Sequence, residues 1–312
     1  MIVLKDLKFG MFVTSRLSWD EIRKQTQECE RLGFHSMWFA DHLVLRGPRL
    51  EGWTLISALA PITESIRLGS LVLSNSFRNP ALLAKMGATL DVISGGRLEL
   101  GIGAGWHESE YRAYGYEFPD ARTRIRQLEE GVKIIQMMWT EEHPTYEGEY
   151  FSISDAQCEP RPVQKPYPPI TIGGGGEKFL LRVVAQYADR CNLGGSPETC
   201  QRKLQVLKGH CTSVGRDYDE IERSMFSYIH VGDEGSLKEN MRKIYDISPI
   251  SEPFERWYRE NRQAMIAGTA DECVERIREF ERLGFTLMIL RFYQMPSIEM
   301  IKQLHDQIIE CI

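Results

Sequence analysis

The residues best suited to chemistry come as glycine runs and polar pairs. The first group lies in 97–111, where Gly101, Gly103 and Gly105 alternate with other residues and Trp106, His107 and Glu108 follow at once. Small residues at a strand end let the backbone approach something closely. A bulky aromatic and two polar groups just beyond suggest a loop that faces a ligand. The second group is Gly173-Gly174-Gly175-Gly176-Glu177. Four glycines between a strand and a helix leave N–H groups free to wrap an anion, and a helix beginning near Glu177 adds its dipole. That composition reads as a phosphate cradle, with a plain flexible turn as the alternative. The third is Asp41-His42 at the end of a strand. A histidine there can hydrogen-bond a ring carbonyl or exchange a proton near neutral pH; a structural histidine bridging loops is the alternative.

Several chemistries are excluded by spacing. The dinucleotide fingerprint G-x-G-x-x-G fails in both registers, because Trp106 and Glu108 occupy the third-glycine positions. The cradle is no Walker loop, since no Lys-Ser or Lys-Thr pair follows Gly176 in the required place. His107-Glu108 is not a zinc motif, because Tyr111 stands where the second histidine belongs, so no metal is expected. No G-x-S-x-G elbow is present. The net charge of −6 and pI near 5.8, without a basic run, argue against a nucleic-acid partner. The longest apolar runs, such as Leu55–Ile62, are too short for a membrane span. Lys5, Asp6 and Lys8 break any signal-peptide core. Seven cysteines without C-x-x-C read as reduced structural thiols of a cytoplasmic protein.

Elements must position these groups. Strands are predicted at Leu7–Val13, Ser36–Ala40, Ile66–Leu73, Arg97–Ile102, Ile170–Ile172, Arg190–Leu193, Arg223–Val231 and Leu287–Phe292. Helices are predicted between them at Asp20–Leu32, Thr54–Ile62, Ala81–Ile93, Asp120–Trp139, Glu177–Tyr187, Pro197–Val214, Ala270–Leu283 and Ser297–Ile309. Continuous apolar strands alternating with helices indicate buried parallel strands. Eight such units point to an α/β fold, a closed (β/α)8 TIM barrel in one domain over 1–312, with insertions at about 140–169 and 232–268. An open doubly wound sheet is the alternative. In a barrel, function sits at the strands' C-terminal ends, where all three groups fall, together with His230 and Arg291. Trp53 is read either as plain core or as a pocket wall.

A family resemblance rests on specific stretches: Gly33-Phe34-His35-Ser36-Met37-Trp38-Phe39-Ala40-Asp41-His42, Arg67-Leu68-Gly69-Ser70, Arg78-Asn79-Pro80-Ala81, Asp91-Val92-Ile93-Ser94-Gly95-Gly96-Arg97, Gly101 through Trp106, Cys158 through Pro166, and Ile172 through Lys178. Together they resemble the bacterial-luciferase-like flavin and deazaflavin oxidoreductases, over about residues 7–292, and most closely the branch that uses coenzyme F420. The resemblance implies a cofactor across the strand ends, its phosphate in Gly173–Glu177, and Gly103, Ala104, Gly105 and Trp106 beside it. It implies a cis peptide among Ser70, Leu71 and Val72, behind the ring. It places Asp41 at the ring or its hydroxyl and matches His42 to an acid–base residue. Some deazaflavin dehydrogenases carry a glutamate where Trp106 stands, which removes that acid from this chain.

The leading function is therefore hydride transfer between coenzyme F420 and an unidentified small organic substrate. The alternative is an FMN-dependent monooxygenase supplied by a separate flavin reductase, and a third is a non-catalytic flavin-binding protein. The resemblance also implies a homodimer. The 232–268 insertion reads as a lid, helical in part.

Overall fold

The structure, a computed structural model, describes residues 7–45, 47–246 and 250–312. The signal-peptide reading at Lys5 and Asp6, and positions 247–249 of the second insertion, lie outside the described residues.

Eight parallel strands close on themselves: β1 (Lys8–Phe12), β2 (Ser36–Phe39), β3 (Arg67–Ser70), β4 (Leu98–Gly103), β5 (Ile170–Gly173), β6 (Arg190–Leu193), β7 (Glu222–Val231) and β8 (Leu287–Phe292). Each pairs with the next, and β8 returns to β1 with Leu287 opposite Lys8. The closed (β/α)8 barrel is the expected fold, and it excludes the open sheet. Around it run α1 (Trp19–Arg31), α2 (Gly52–Leu59), α3 (Pro80–Ile93), α4 (Glu108–Ala113), α5 (Ala121–Thr140), α6 (Leu180–Tyr187), α7 (Pro197–Val214), α8 (Glu234–Asp246), α9 (Phe254–Gln263), α10 (Ala270–Arg282) and α11 (Ile298–Gln307). Local chemistry starts them. Asn79 caps α3 with Pro80 in its first turn, and Ser196 caps α7 with Pro197 likewise placed, where a missing N–H costs nothing. All seven cysteines are free, and six are buried. Among the described residues no helix is long and apolar enough to cross a membrane.

Three elements depart from expectation. The strand predicted over Ile66–Leu73 breaks after Ser70 at a cis Leu71–Val72 peptide, and Leu73–Ser74 then pairs again with Ile102 and Gly103 of β4. The helix predicted from Glu177 begins at Leu180, because residues 177–179 form a turn with no side-chain cap. Helix α4 was not expected at all. The 140–169 segment carries the expected hairpin, Tyr146–Glu147 against Ser152–Ile153. The 232–268 segment contributes α8, α9 and a short strand, Ile266–Gly268, beside β7.

Alternation along each strand divides the interior. On β8, Met288, Leu290 and Phe292 join the core beneath the helices, whereas Leu287 and Ile289 join Phe12 and Trp38 inside the barrel. Trp38 fills the barrel's middle with its indole N–H on Ser36 Oγ at 2.8 Å. Gly10 and Gly69 make room for it: an added Cβ would lie 2.7 Å from Trp38 Nε1 at Gly10 and 2.6 Å from Cζ3 at Gly69. Trp53 is buried in the outer core, so the plain-core reading applies.

Toward the strands' N-terminal ends the interior is ionic. Arg190 donates to Glu99 at 2.5 Å and to Glu222 at 2.5 and 2.7 Å. Arg67 pairs with the other oxygen of Glu99, and Lys8 reaches Glu222 at 3.1 Å. Burial alone would raise the Glu222 carboxyl, but Arg190 and Lys8 outweigh it and hold it at about 2, against an ordinary 4.5. Burial opposes the Glu99 charge as well, and Arg190 and Arg67 again prevail and lower it.

A carboxyl with a depressed folded-state pKa stabilises the fold above its ordinary value and loses that contribution as pH falls. We expect stability in urea to decline between about pH 4.5 and 2 on account of Glu222, and Glu222→Gln to flatten that window. Arg190→Met leaves Glu99 with Arg67 alone and Glu222 with Lys8 alone, and should cost about 3–5 kcal/mol by equilibrium unfolding.

Candidate active site

Strand β2 delivers Asp41 and His42 to the barrel mouth side by side, but their surroundings differ. Both oxygens of Asp41 are engaged. Arg78 grips them as a fork at 2.7 and 2.8 Å, and the Ser74 amide donates to Oδ2 at 3.0 Å. Arg78 also reaches Glu51 at 2.6 Å, and Glu51 caps α2 through the amides of Trp53 and Thr54. Burial pushes the Asp41 carboxyl above its ordinary value, with Arg78 and the Ser74 amide opposing that shift. The geometry thus turns Asp41 toward the protein, where it ties the ends of β2 and β3 together.

His42 has a different partner. Its Nδ1 lies 2.7 Å from Oε2 of Glu110, which is buried on α4. The second oxygen of Glu110 accepts from the amides of Val44 and Leu45 at 2.8 and 2.9 Å. One carboxylate therefore orients the ring and closes the loop that follows it. An ionised carboxylate only accepts, so Nδ1 carries the ring proton and Nε2 presents a lone pair. Burial lowers the His42 pKa more than Glu110 raises it, which favours the neutral imidazole. For Glu110, burial acts upward, but the bonds from His42 and the two amides hold it below its ordinary value. Trp106, 65% exposed, meets the His42 ring edge-on with centroids 5.6 Å apart. His107 stands 6.0 Å from the same ring and hydrogen-bonds Ser109.

Helix α4 is held to the mouth by Tyr111, whose hydroxyl meets Ser74 Oγ at 2.5 Å. Gly105 lies beneath this pair with φ 75°, and a Cβ there would run into both oxygens. The other glycines answer to β3. Ser70 Oγ donates to the Gly101 carbonyl at 2.7 Å, and a Cβ on Gly101 would overlap the Ser70 carbonyl. Val72 sits against β4 and β5: added Cβ atoms at Gly103 and Gly173 would lie 2.8 and 2.7 Å from its methyls. Ser70, Leu71, Val72, Gly103 and Gly173 thus form one continuous patch, and Ala104 packs half-buried behind it.

In the strand-five loop, the Gly174 amide is used by the Asn192 carbonyl at 3.3 Å. Among the described residues, the amides of Gly175, Gly176 and Glu177 have no acceptor. The Lys203 ammonium, carried on α7, lies where a Gly175 Cβ would be, and among the described residues no carboxylate pairs with it. Glu177 turns away: its carboxylate meets Arg202 at 3.0 Å, and its carbonyl accepts from His210 at 2.8 Å.

The opposite wall comes from β7, β8 and the second insertion. Arg291 lies 4.9 Å from the Phe12 ring and 5.2 Å from Tyr228, and Tyr228 stacks on Tyr293 at 4.1 Å. These tyrosines pack against the small core of α8 and α9. His230 does not join them; it hydrogen-bonds Ser236 and lines a separate cavity of about 140 Å³ beside α11. Sequence reasoning missed Glu110, Arg78, Tyr111 and Lys203. Only Arg78 carried a signal, in the Arg78-Asn79-Pro80 stretch.

The model of the luciferase-like monooxygenases matches residues 7–287. An F420-dependent glucose-6-phosphate dehydrogenase of Intrasporangium calvum is 30% identical over 302 residues, covering 86% of this chain and 88% of that protein. The FMNH(2)-dependent dimethylsulfone monooxygenase of Pseudomonas putida is 25% identical over 317 residues, covering 90% and 85%. Among solved structures, the coenzyme F420-dependent tetrahydromethanopterin reductase of Methanopyrus kandleri superposes with a TM-score of 0.84 at 20% identity, covering 98% and 99% of the two chains. That last likeness concerns the fold.

Nitrogen NMR should find His42 as the Nδ1–H tautomer. Because the Glu110 charge raises the His42 pKa, Glu110→Gln should lower it further and shift the proton toward Nε2, since the new amide can donate to Nδ1. An unmoved tautomer and pKa would show that the pair is not coupled.

Proposed function

The chain belongs to the luciferase-like monooxygenase family, and on that premise we propose that this enzyme exchanges a hydride between coenzyme F420 and a small organic substrate at the barrel mouth. The observation that carries the proposal is the His42–Glu110 pair. Hydride exchange at a carbon bearing oxygen also moves a proton, and a histidine whose Nε2 has no partner among the described residues is placed to take it. The F420-dependent relatives of similar length support the choice of cofactor.

The residues present fit such a cofactor. The free amides of Gly175, Gly176 and Glu177, with Lys203 beside them, suit a phosphate. The patch of Leu71, Val72, Gly103 and Gly173 offers an apolar seat for a ring. When bound, the deazaflavin supplies hydride exchange at its C5 carbon. The protein does the rest. His42 Nε2 accepts the hydroxyl proton of an alcohol substrate, and Glu110 stabilises the imidazolium that forms. In the reverse direction the same nitrogen returns the proton. Asp41, bound to Arg78, keeps β2 and β3 in register beneath His42. Trp106 offers no proton, so chemistry that needs an acid at that position is not part of the proposal. The tyrosine wall limits the space left for substrate.

The flavin alternative, a monooxygenase fed by a reductase, is supported by the dimethylsulfone monooxygenase relative. Fluorescence titration of the apo-protein separates the two: F420 should bind, and Lys203→Met should weaken it about fivefold or more. Binding of FMN alone would reverse the assignment. With any alcohol that the wild type oxidises in a screen of deazaflavin reduction, His42→Ala should lower turnover by about a hundredfold or more with cofactor affinity preserved. Wild-type turnover should fall as pH drops through the lowered pKa of His42, where Nε2 becomes protonated. A variant that turns over normally would remove His42 from the mechanism.

A further inference from the structure

Trp106 is the most exposed large apolar side chain among the described residues, and it stands beside the imidazole of His42. It is held in place rather than left loose. Its ring lies nearly perpendicular to those of His42 and His107, at interplanar angles of 89° and 81°, with centroids 5.6 and 4.9 Å apart. On one side, Gly105 turns the chain at φ 75°, and its carbonyl accepts from Arg124 at 3.3 Å. On the other, Glu110 and Tyr111 fasten α4 to His42 and Ser74. A flat apolar face is thus kept open to solvent beside the group that handles the proton. Among the described residues the indole N–H has no acceptor, whereas those of Trp38 and Trp139 are bonded at 2.8 Å.

Other groups around His42 share this character. Val44, whose amide donates to the same Glu110 carboxylate, is exposed, and so is Leu50 farther along that loop. Leu71, Phe12 and Phe226 belong to the apolar cluster inside the barrel. The carboxylates beside His42, those of Asp41 and Glu110, are engaged by protein groups. Exposed apolar side chains gathered around one reactive group mark a place where an apolar ligand is received.

We infer that Trp106 selects the substrate, an alcohol whose carbinol carbon bears an aromatic or similarly flat apolar group that packs on the indole. The inference rests on the proposed hydride exchange at His42 and names its substrate class. A hydroxyl about 3 Å from Nε2 brings the carbinol's substituents within reach of the indole. Ring contact there adds to the burial of apolar surface. In the oxidation, the carbinol C–H leaves as hydride to the deazaflavin, the O–H proton goes to His42 Nε2, and a carbonyl forms next to the ring.

The test uses acetophenone, the carbonyl product of 1-phenylethanol, in ligand-observed NMR titrations of the protein loaded with whichever of F420 and FMN it binds. Acetophenone should bind about tenfold more tightly than acetone. Trp106→Ala should remove that difference and Trp106→Phe should restore most of it, both with the wild-type melting temperature. Glucose 6-phosphate should not displace the probe. Equal binding of the two ketones, a preference that survives Trp106→Ala, or displacement by glucose 6-phosphate overturns the inference and leaves the hydride reading standing. Acetophenone bound through Trp106, with 1-phenylethanol reducing no bound deazaflavin, upholds the aryl site and removes the hydride reading instead.

Discussion

At the mouth of this barrel, β3 comes so close to β4 that Gly101 tolerates no side chain, and Val72 fills the space that side chains at Gly103 and Gly173 would need. Much else follows from that crowding. The break after Ser70 turns Leu71 and Val72 across the strand ends, and the chain recovers its pairing only at Leu73–Ser74. Ser74 then supplies an amide to Asp41 and a hydroxyl to Tyr111. Through these two bonds, the end of β3 holds both β2 and α4. Since α4 carries Glu110, the orientation of His42 depends on a packing constraint three strands wide.

Glu110 shows how little machinery is needed to prepare a histidine. A buried carboxylate is expensive unless its lone pairs are used. Here one oxygen takes the imidazole N–H and the other takes two backbone amides. The same bonds that satisfy the charge also fix the tautomer and close the loop over it. Asp41, one residue away from His42, is satisfied by a guanidinium and a backbone amide instead. Adjacent residues of one strand end thus sit in different hydrogen-bond settings, one held by a guanidinium and one by a carboxylate.

Much of this was legible in the sequence. The barrel, its strand ends, the two glycine segments and the Asp41-His42 pair follow from periodicity, glycine spacing and family resemblance. The reason for the glycines of β4 was not legible. Spacing suggests a backbone approaching a ligand, whereas Gly101 yields to Ser70 and Gly103 to Val72, contacts that exist only once the strands are in register. Glu110 was hidden for a related reason: in sequence it is one of two acids in a polar stretch, and only the docking of α4 buries it. The ionic interior had the same obstacle. Lys8, Arg67, Glu99, Arg190 and Glu222 are spread over five strands, and each looks like a surface charge until the barrel closes. The start of α6 was misplaced because a turn after a glycine run resembles the first turn of a helix.

Trp38 and the ionic layer below it have one more consequence. They fill the barrel from its middle downward, so on the proposed reading a cofactor and a substrate would both approach from the strands' C-terminal ends. Whichever would rest deeper would then enter first and leave last.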